Sequence, residues 1–255
     1  MIGWNDFIYF AATATVSAVV ASVLSVFGRK KSAVCLTLVS IAVLLGFICG
    51  LWWTLGRPPL RTMGETRLWY SFFALSAGLF TYVRWGYKWI LSFSTILSTV
   101  FMVLNICRPE IHDQTLVPAL QSAWFIPHVT VYMFSYSILG CAFLIAVVSL
   151  YKNSDSLLDS ADTLVYIGTA FLTLGMLSGS MWAKSAWGHF WSWDPKEAWA
   201  LITWLTYILY IHLRLYRKCS DRFLCILLIF AFACLQMCWW GVNLLPSAQN
   251  SIHVY

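Results

Sequence analysis

Long runs of apolar residues constrain this 255-residue chain more than any other feature. A helix needs about 20 predominantly apolar residues to cross about 30 Å of hydrocarbon. Runs of that kind recur throughout the chain, and only 10% of its residues are charged. We therefore predict an all-α, polytopic helical bundle in a membrane, with about eight transmembrane helices and a single membrane domain over residues 1–255. The predicted spans are residues 7–27, 33–55, 68–83, 89–106, 128–150, 163–182, 197–215 and 223–245, of which the third is the shortest and weakest.

The distribution of lysine and arginine predicts how the bundle is oriented, because cytoplasmic loops carry an excess of both. With eight spans, one set of alternate loops contains ten of these residues and the other set contains six. We expect the richer set to be cytoplasmic, which puts both termini on the outer face. The net charge of +6 then reflects topology, and we expect no nucleic-acid partner.

The loops long enough to have a function lie on the predicted outer face. They are residues 56–67, 107–127 and 183–196, and the tail 246–255 ends on the same face. The cytoplasmic connections are shorter and mostly basic. We therefore expect the activity to be on the outer face.

The third of these loops ends in a helix-start signal, Asp194-Pro195-Lys196-Glu197. An aspartate can cap the amides of the next turn, proline suits the first helical position, and a glutamate three residues after the cap completes a capping box. The seventh span is therefore predicted to begin here. Capping alone is a sufficient explanation for Asp194 and Glu197.

Four tryptophans surround that signal: Trp187, Trp191, Trp193 and Trp199. Tryptophans gather at membrane interfaces because one end of the ring is polar, and this is the simpler explanation for any one of them. As a group beside Gly188 they also fit a loop folded over a flat, apolar molecule such as a planar macrocycle. Both interpretations remain open at this stage.

Three of the five histidines are candidate iron ligands. His128 opens the fifth span and His253 ends the chain, so both fall on the predicted outer face, where they can supply axial ligands to a haem iron. His212 lies inside the seventh span, roughly 22 Å along the helix from Glu197. An ionisable residue in a span indicates a function, although a histidine reaching the inner interface beside Arg214 is the alternative.

The other two histidines are weaker candidates. His112 follows Glu110 and precedes Asp113 in a polar loop, so we expect it to be solvated. His189 lies within the tryptophan-rich loop and is kept as a reserve ligand. The eight cysteines include no C-x-x-C and no C-x-x-C-H, so the chain is not itself a covalent c-type cytochrome.

These residues together resemble the WWD signature of haem-handling proteins, and most closely the CcsA/ResC family of System II cytochrome c biogenesis. The resemblance extends over most of the chain. The matching segments are Pro58-Pro59-Leu60 with Glu65, Leu120 to Trp124, Trp187-Gly188, Trp191 to Glu197, Trp199, Thr203-Trp204, Tyr210 to Arg214, and Trp239 to Asn243.

The resemblance implies a haem-binding role for particular residues. It makes His128 and His253 the external histidines that hold haem for delivery, and His212 the transmembrane histidine that meets haem earlier in its passage. Residues 183–199 become an outer-face WWD haem-binding loop with the start of the seventh span. The remaining haem-binding candidates are Trp124, Trp187, Trp191, Trp193, Asp194, Lys196 and Trp199; Lys184, Lys196 and the arginines of residues 57–67 are candidates for pairing with the haem propionates.

The resemblance also implies a function: haem b is delivered across or within the membrane and attached covalently to apocytochrome c at C-x-x-C-H. The chain would be the CcsA half of a cytochrome c synthase, with a CcsB/ResB-type membrane partner and thiol-reducing proteins of the same pathway. Its expected location is the bilayer of the bacterial inner membrane or an organellar equivalent. The alternatives are a haem transporter or chaperone without ligation activity, and a membrane cytochrome b that carries electrons.

Overall fold

The chain is described as a computed structural model over residues 2–113, 118–152, 155–216 and 219–246. Within these ranges it forms eight α-helices joined by short loops and 3-10 turns, with no strand. The helices are α1 (Phe7–Val26), α2 (Lys30–Leu55), α3 (Met63–Trp85), α4 (Lys88–Cys107), α5 (Phe125–Lys152), α6 (Asp155–Trp187), α7 (Pro195–Tyr216) and α8 (Asp221–Trp239). The predicted all-helical membrane fold is confirmed, and each predicted span corresponds to one helix.

Seven of the helices in the described ranges are long and apolar enough to cross a membrane, and α3 is the exception. Its 23 residues extend about 34 Å, so length does not distinguish it. Its composition distinguishes α3 from the other helices, because polar side chains lie on its buried face. Ser71, for example, is fully buried and its hydroxyl donates to the carbonyl of Ser98 in α4 (3.3 Å). This is the span whose apolar run was the shortest and weakest in the sequence.

The first of two compact units covers Met1–Leu116 and contains α1 to α4. In this unit α1 packs against α2 and α4, and α3 packs against the same two helices. Small buried residues such as Ala14 let α1 approach α2 closely, and the Ser40 hydroxyl donates to the Ala14 carbonyl (2.7 Å). The core of the unit includes Phe7, Leu44, Phe47, Leu51, Leu68 and Leu75.

The second compact unit covers Val117–Tyr255 and contains α5 to α8. Here α5 packs against α6 and α8, and α7 packs against the same pair. Glycines on α6 bring the α5 backbone close: the Ser135 hydroxyl donates to the carbonyl of Gly168 (2.7 Å). All of the tryptophan-rich segment and His128 belong to this unit.

Residues 56–65 of the first unit comprise the loop that leads into α3 and the first turn of that helix, and they are called the first junction. Thr62 caps α3 by accepting a hydrogen bond from the Glu65 amide (3.2 Å), and Glu65 Oε2 accepts from the amides of Thr62 (3.2 Å) and Arg61 (2.7 Å). Arg57 donates to both carboxylate oxygens of Glu65, each at 2.9 Å. Glu65 is fully buried, so a complete capping box and a bidentate ion pair together satisfy its charge.

Candidate functional site

The corresponding loop of the second unit, residues 188–197, leads into α7 and is called the second junction. Asp194 Oδ1 accepts from the Lys196 amide (2.9 Å), and α7 begins at Pro195. Glu197 Oε2 accepts from the amides of Ser192 (2.8 Å) and Asp194 (3.2 Å) and from the Ser192 hydroxyl (3.2 Å). Both carboxylates are buried. The predicted helix start is confirmed, with the Asp194 carboxylate on the Lys196 amide and the Glu197 carboxylate returning to the Asp194 amide.

Trp193 adopts an unusual backbone conformation immediately before this cap. Its φ is 60°, and it is the one residue other than glycine with a positive φ in the part of the chain that the structure describes. A side chain in this region costs about 1 to 2 kcal/mol. The ring is nevertheless 70% exposed and touches the edge of Trp191, with ring centroids 5.9 Å apart. Strain of this kind is typical of functional sites, and here it holds an aromatic ring out of the fold.

Two of the other candidate tryptophans, Trp187 and Trp199, lie on the helices that flank the loop. Trp187 was predicted to precede the helix in a loop, and this is wrong: it is the last residue of α6. The helix ends there because Gly188 takes a positive φ of 87° and its amide returns to the Lys184 carbonyl (3.1 Å), a common way to terminate a helix. Trp199 is half-buried in α7, whereas Trp124 lies just before α5 and is 45% exposed.

His128 lies in the first turn of α5 and is half-buried. Its Nδ1 lies 2.8 Å from the carbonyl oxygen of Gly175 on α6. Because a carbonyl can only accept, Nδ1 carries the proton and donates it. The ring is therefore held as the tautomer whose Nε2 bears the lone pair, which is the form that binds a metal.

An aromatic path connects His128 to the tryptophan-rich segment. The His128 ring stacks on Trp182 with centroids 5.3 Å apart and planes at 27°, and Trp182 meets Trp187 edge-on at 4.8 Å. Trp182 is buried, and its indole N–H donates to the Ala119 carbonyl (2.8 Å). Sequence reasoning missed Trp182 because it reads as one more apolar residue at the end of the sixth span. Its position five residues before Trp187 was the available signal.

The lysines of this region differ in what they contact. Lys184 donates to the carbonyl of Gly188 (2.7 Å) and lies 5.4 Å from the ring centroid of Phe190, so it stabilises the second junction. Lys196 is half-buried, and its carbonyl accepts a hydrogen bond from the Cys238 thiol (3.5 Å). In the first unit, Arg57 is engaged by Glu65. Of these three propionate candidates, the cationic groups of Lys184 and Arg57 already bind groups of the chain itself.

The structure does not bring His212 together with His128. His212 is exposed on α7, and its Nδ1 donates to the Ile208 carbonyl in its own helix (2.8 Å). Next to it Arg214 is held by three carboxylates, those of Asp159, Asp162 and Asp221, beside a cavity of about 530 Å³. This ion-pair network joins α6, α7 and α8 at the end of the unit opposite the second junction, and sequence reasoning did not identify it.

Of the remaining histidines, His112 does not have the surroundings that were predicted for it. His112 was expected to be solvated, and this is wrong: its ring stacks on Trp4 at 3.8 Å with planes at 6°, and its Nε2 donates to Asn105 Oδ1 (3.3 Å). Burial lowers the pKa of His112 below its ordinary value. His189 is exposed in the second junction, and His253 lies outside the described residues.

Comparison with protein families adds an independent observation. The family described as cytochrome C assembly protein matches residues 60–248 of this chain. That range contains helices α3 to α8, the whole second junction and the part of the first junction that begins at Leu60.

Curated relatives match over most of the chain. The cytochrome c biogenesis protein CcsA of Cuscuta reflexa is 31% identical over 254 residues, covering 84% of this chain and 82% of the relative. CcsA of Chlamydomonas reinhardtii is 37% identical over 170 residues, which is 62% of this chain and 48% of that protein.

Among solved structures, the cytochrome c heme lyase CcmF superimposes with a TM-score of 0.72 at 16% identity. The match covers 93% of this chain and 46% of the CcmF chain, so the present fold corresponds to about half of that protein. At this identity the likeness concerns the fold.

Proposed function

This chain belongs to the cytochrome c assembly protein family, and we propose that it takes haem b as a substrate and helps to attach it to apocytochrome c in the membrane. The proposed division of labour assigns the second junction and the rings beside it to holding the macrocycle, and His128 to binding its iron. The names of the CcsA relatives support the pathway. The geometry of the second unit supports the roles of the residues.

The observation that carries the proposal is the state of His128. The hydrogen bond from Nδ1 to the Gly175 carbonyl (2.8 Å) directs the Nε2 lone pair to the opposite side of the ring. Imidazole is a common axial ligand of haem iron, and a ligand histidine almost always donates its other N–H to a carbonyl, carboxylate or water. Trp182 and Trp187 add flat apolar faces beside it. The residues present therefore fit a haem with one imidazole ligand.

In the reaction that we propose, each of two cysteine thiols of C-x-x-C-H adds across one vinyl group of haem. The S–H bond and the π bond of the vinyl group are broken, a C–S and a C–H bond form, and all atoms of both reactants stay in the product, so the addition requires no oxidant. The chain's contribution is positioning, because confining haem and peptide together replaces a bimolecular encounter with an oriented one. His128 binds the iron, while Trp191 and Trp193 provide an aromatic surface within the second junction.

Further parts of the proposal concern residues other than His128. His253 would supply the second external ligand, and His212 would contact haem earlier in its passage through the bilayer. Lys184, Lys196 and the arginines of residues 57–67 are the proposed candidates for pairing with the propionates. We also propose a CcsB/ResB-type partner, thiol-reducing proteins that keep the apocytochrome cysteines reduced, and a site on the outer face of a bacterial inner membrane or its organellar equivalent.

Co-expression with a CcsB/ResB-type partner and an apocytochrome tests the function, because a haem stain after denaturation detects only covalently attached haem. We expect stained cytochrome with the unaltered chain and none with the His128→Ala, His253→Ala double variant. His112→Phe is the matched control, since it removes a histidine from the first unit, keeps a ring stacked on Trp4 and should leave maturation unchanged. Full maturation by the double variant would contradict the ligand assignment. Retained haem without covalent product in the unaltered chain would favour a transporter.

A further inference from the structure

The imidazole of His128 occupies space that only a glycine leaves open on α6. A Cβ atom built at Gly179 would lie 2.6 Å from both Cε1 and Nδ1 of the ring, which is closer than Cβ atoms approach other heavy atoms. Interiors of proteins are densely packed and resist such overlap. Any side chain at position 179 must therefore displace the His128 ring.

A second glycine, one helical turn earlier, completes the pocket around this ring. Gly175 supplies the carbonyl that accepts from His128 Nδ1, and a Cβ atom there would lie 2.5 Å from the Tyr132 ring. Tyr132 in turn lies edge-on to His128, with centroids 4.6 Å apart, and Trp182 covers another side of the imidazole. The ring is thus confined by α6, Tyr132 and Trp182.

We propose that Gly175 and Gly179, here called the glycine notch, are positioning residues that hold His128 in the rotamer and tautomer that present Nε2 to iron. This inference rests on the proposed function, since it assigns a task to the ligand histidine. Outer-shell partners of metal-binding histidines fix the tautomer and the direction of the ring. A ring that is already confined loses less freedom when it binds its ligand.

The same helix offers a matched control for simple helix packing. Gly168 also lies against α5, and a Cβ atom there would come within 2.5 Å of the Leu139 side chain. It is seven residues before Gly175, which is about two helical turns. Gly168→Ala therefore causes a steric conflict of similar closeness between the same two helices, but against Leu139 instead of His128.

The test titrates haemin into purified full-length protein carrying His212→Ala, so that the outer site dominates, and records the absorption spectrum of ligated haem. We expect Gly179→Ala to weaken haem binding about 10- to 100-fold and to lose the spectrum that depends on His128 ligation, as we also expect of His128→Ala. Free imidazole added to Gly179→Ala should restore that spectrum. Gly168→Ala should bind haem as the background protein does, and far-ultraviolet circular dichroism reports whether each variant is folded.

A second pair of variants keeps the test valid even if Gly179→Ala does not fold. His128→Gly removes the ring, so Gly179→Ala meets no clash in the double variant. Free imidazole should restore haem ligation in His128→Gly, and it should bind about tenfold more weakly when position 179 is alanine, because the added methyl group occupies part of the notch. Equal imidazole affinity in the two variants would overturn the positioning role.

The outcomes separate this inference from the proposed function. If His128→Ala leaves the haem spectrum unchanged, the ligand assignment fails, and the glycine notch has no ligand to position. If His128→Ala loses the spectrum while Gly179→Ala keeps it, the ligand assignment stands and the notch proposal is wrong. Equal loss in Gly168→Ala and Gly179→Ala without rescue by imidazole would attribute the effect to helix packing and would also overturn the notch.

Discussion

The first and second junctions share a local hydrogen-bonding pattern but differ in the groups that satisfy the buried glutamate. In each, a buried glutamate in the first turn of a helix accepts from the amide of the residue that precedes the helix: Glu65 from Thr62 at α3, and Glu197 from Asp194 at α7. At the first junction Arg57 forms a bidentate ion pair with Glu65. At the second, Glu197 accepts from neutral donors, the amides of Ser192 and Asp194 and the Ser192 hydroxyl.

The apolar residues near the two glutamates differ in how far they are buried. At the first junction Leu60 is buried, and the Trp69 indole donates to the carbonyl of Pro59 (2.8 Å), so the loop packs inward. At the second, Phe190 and Trp193 remain 53% and 70% exposed. The first junction therefore closes the fold. The second uses a buried carboxylate to hold aromatic surface outward, which is an arrangement suited to binding a flat apolar ligand.

Removing the carboxylate from the first junction should have the largest effect on stability. Glu65→Ala leaves Arg57, whose side chain is 15% exposed, without its ion-pair partner, and we expect a loss of about 3 to 5 kcal/mol of unfolding free energy. The measurement is denaturant unfolding of purified protein in detergent. Replacing Arg57 and Glu65 together by leucine should recover much of that loss, because no unpaired charge remains. A Glu65→Ala variant as stable as the unaltered chain would show that the ion pair does not support the first junction.

The corresponding substitution at the second junction, Glu197→Ala, should lower the unfolding free energy less than Glu65→Ala does and should lower haemin binding more. Glu197→Ala removes the acceptor of two amides and one hydroxyl, and we expect a loss of about 1 to 3 kcal/mol. Without those bonds the loop no longer holds Trp193 in place, so haemin binding should fall while Glu65→Ala retains binding in its folded fraction. Glu197→Gln keeps one carbonyl oxygen as an acceptor and should lie between the two. Equal haem loss in the two junction variants would remove the functional distinction between them.

Most of the fold was predictable from the sequence because lipid imposes a simple rule: backbone groups must be satisfied within each segment, so long apolar runs form helices. The start of α7 was predictable for a similar reason, since the cap of Asp194 and Glu197 involves residues within one turn. The weak signal for α3 also had a physical cause. Ser71 makes its polar contacts to neighbouring backbone, which hydropathy alone does not register.

The candidate site was predictable only in part because its decisive contacts join residues far apart in the chain. Sequence reasoning identified His128 but missed Gly175 and Gly179, since nothing local shows that the imidazole lies against α6. It also missed the shielding of His112, because the covering ring of Trp4 is more than one hundred residues away in the chain. A sequence points to residues by their type, such as histidine and tryptophan, but not to residues whose role depends on distant partners.

Trp193 allows strain and aromatic contact at the second junction to be separated. Trp193→Gly removes a positive-φ cost of about 1 to 2 kcal/mol but gives back about 0.5 to 1 kcal/mol through added chain entropy. Trp193→Phe keeps both the strain and an aromatic ring. We therefore expect the glycine variant to be up to about 1.5 kcal/mol more stable than the phenylalanine variant but to bind haemin more weakly. If glycine binds haemin as well as phenylalanine, the exposed ring is not part of the binding surface.

The smallest expected effect concerns His112, which packs against Gly64 at the start of α3 and so adjoins the first junction. Burial lowers the pKa of His112, while the carboxylates of Glu65 and Glu110 act in the opposite direction and only partly offset it. In the unfolded chain the pKa returns to about 6.5. As the pH falls below that value, the unfolded state takes up a proton that the folded state resists, so stability decreases.

We therefore expect the unfolding temperature in detergent to fall between about pH 7 and about pH 5, with a part of that decrease contributed by His112. His112→Phe keeps a ring stacked on Trp4 but cannot titrate, so its unfolding temperature should depend less steeply on pH across this window. An unchanged pH dependence in His112→Phe would mean that the buried imidazole does not link proton uptake to unfolding. The second junction differs in geometry: its histidine, His189, is exposed and takes part in no comparable stack in the part of the chain that the structure describes.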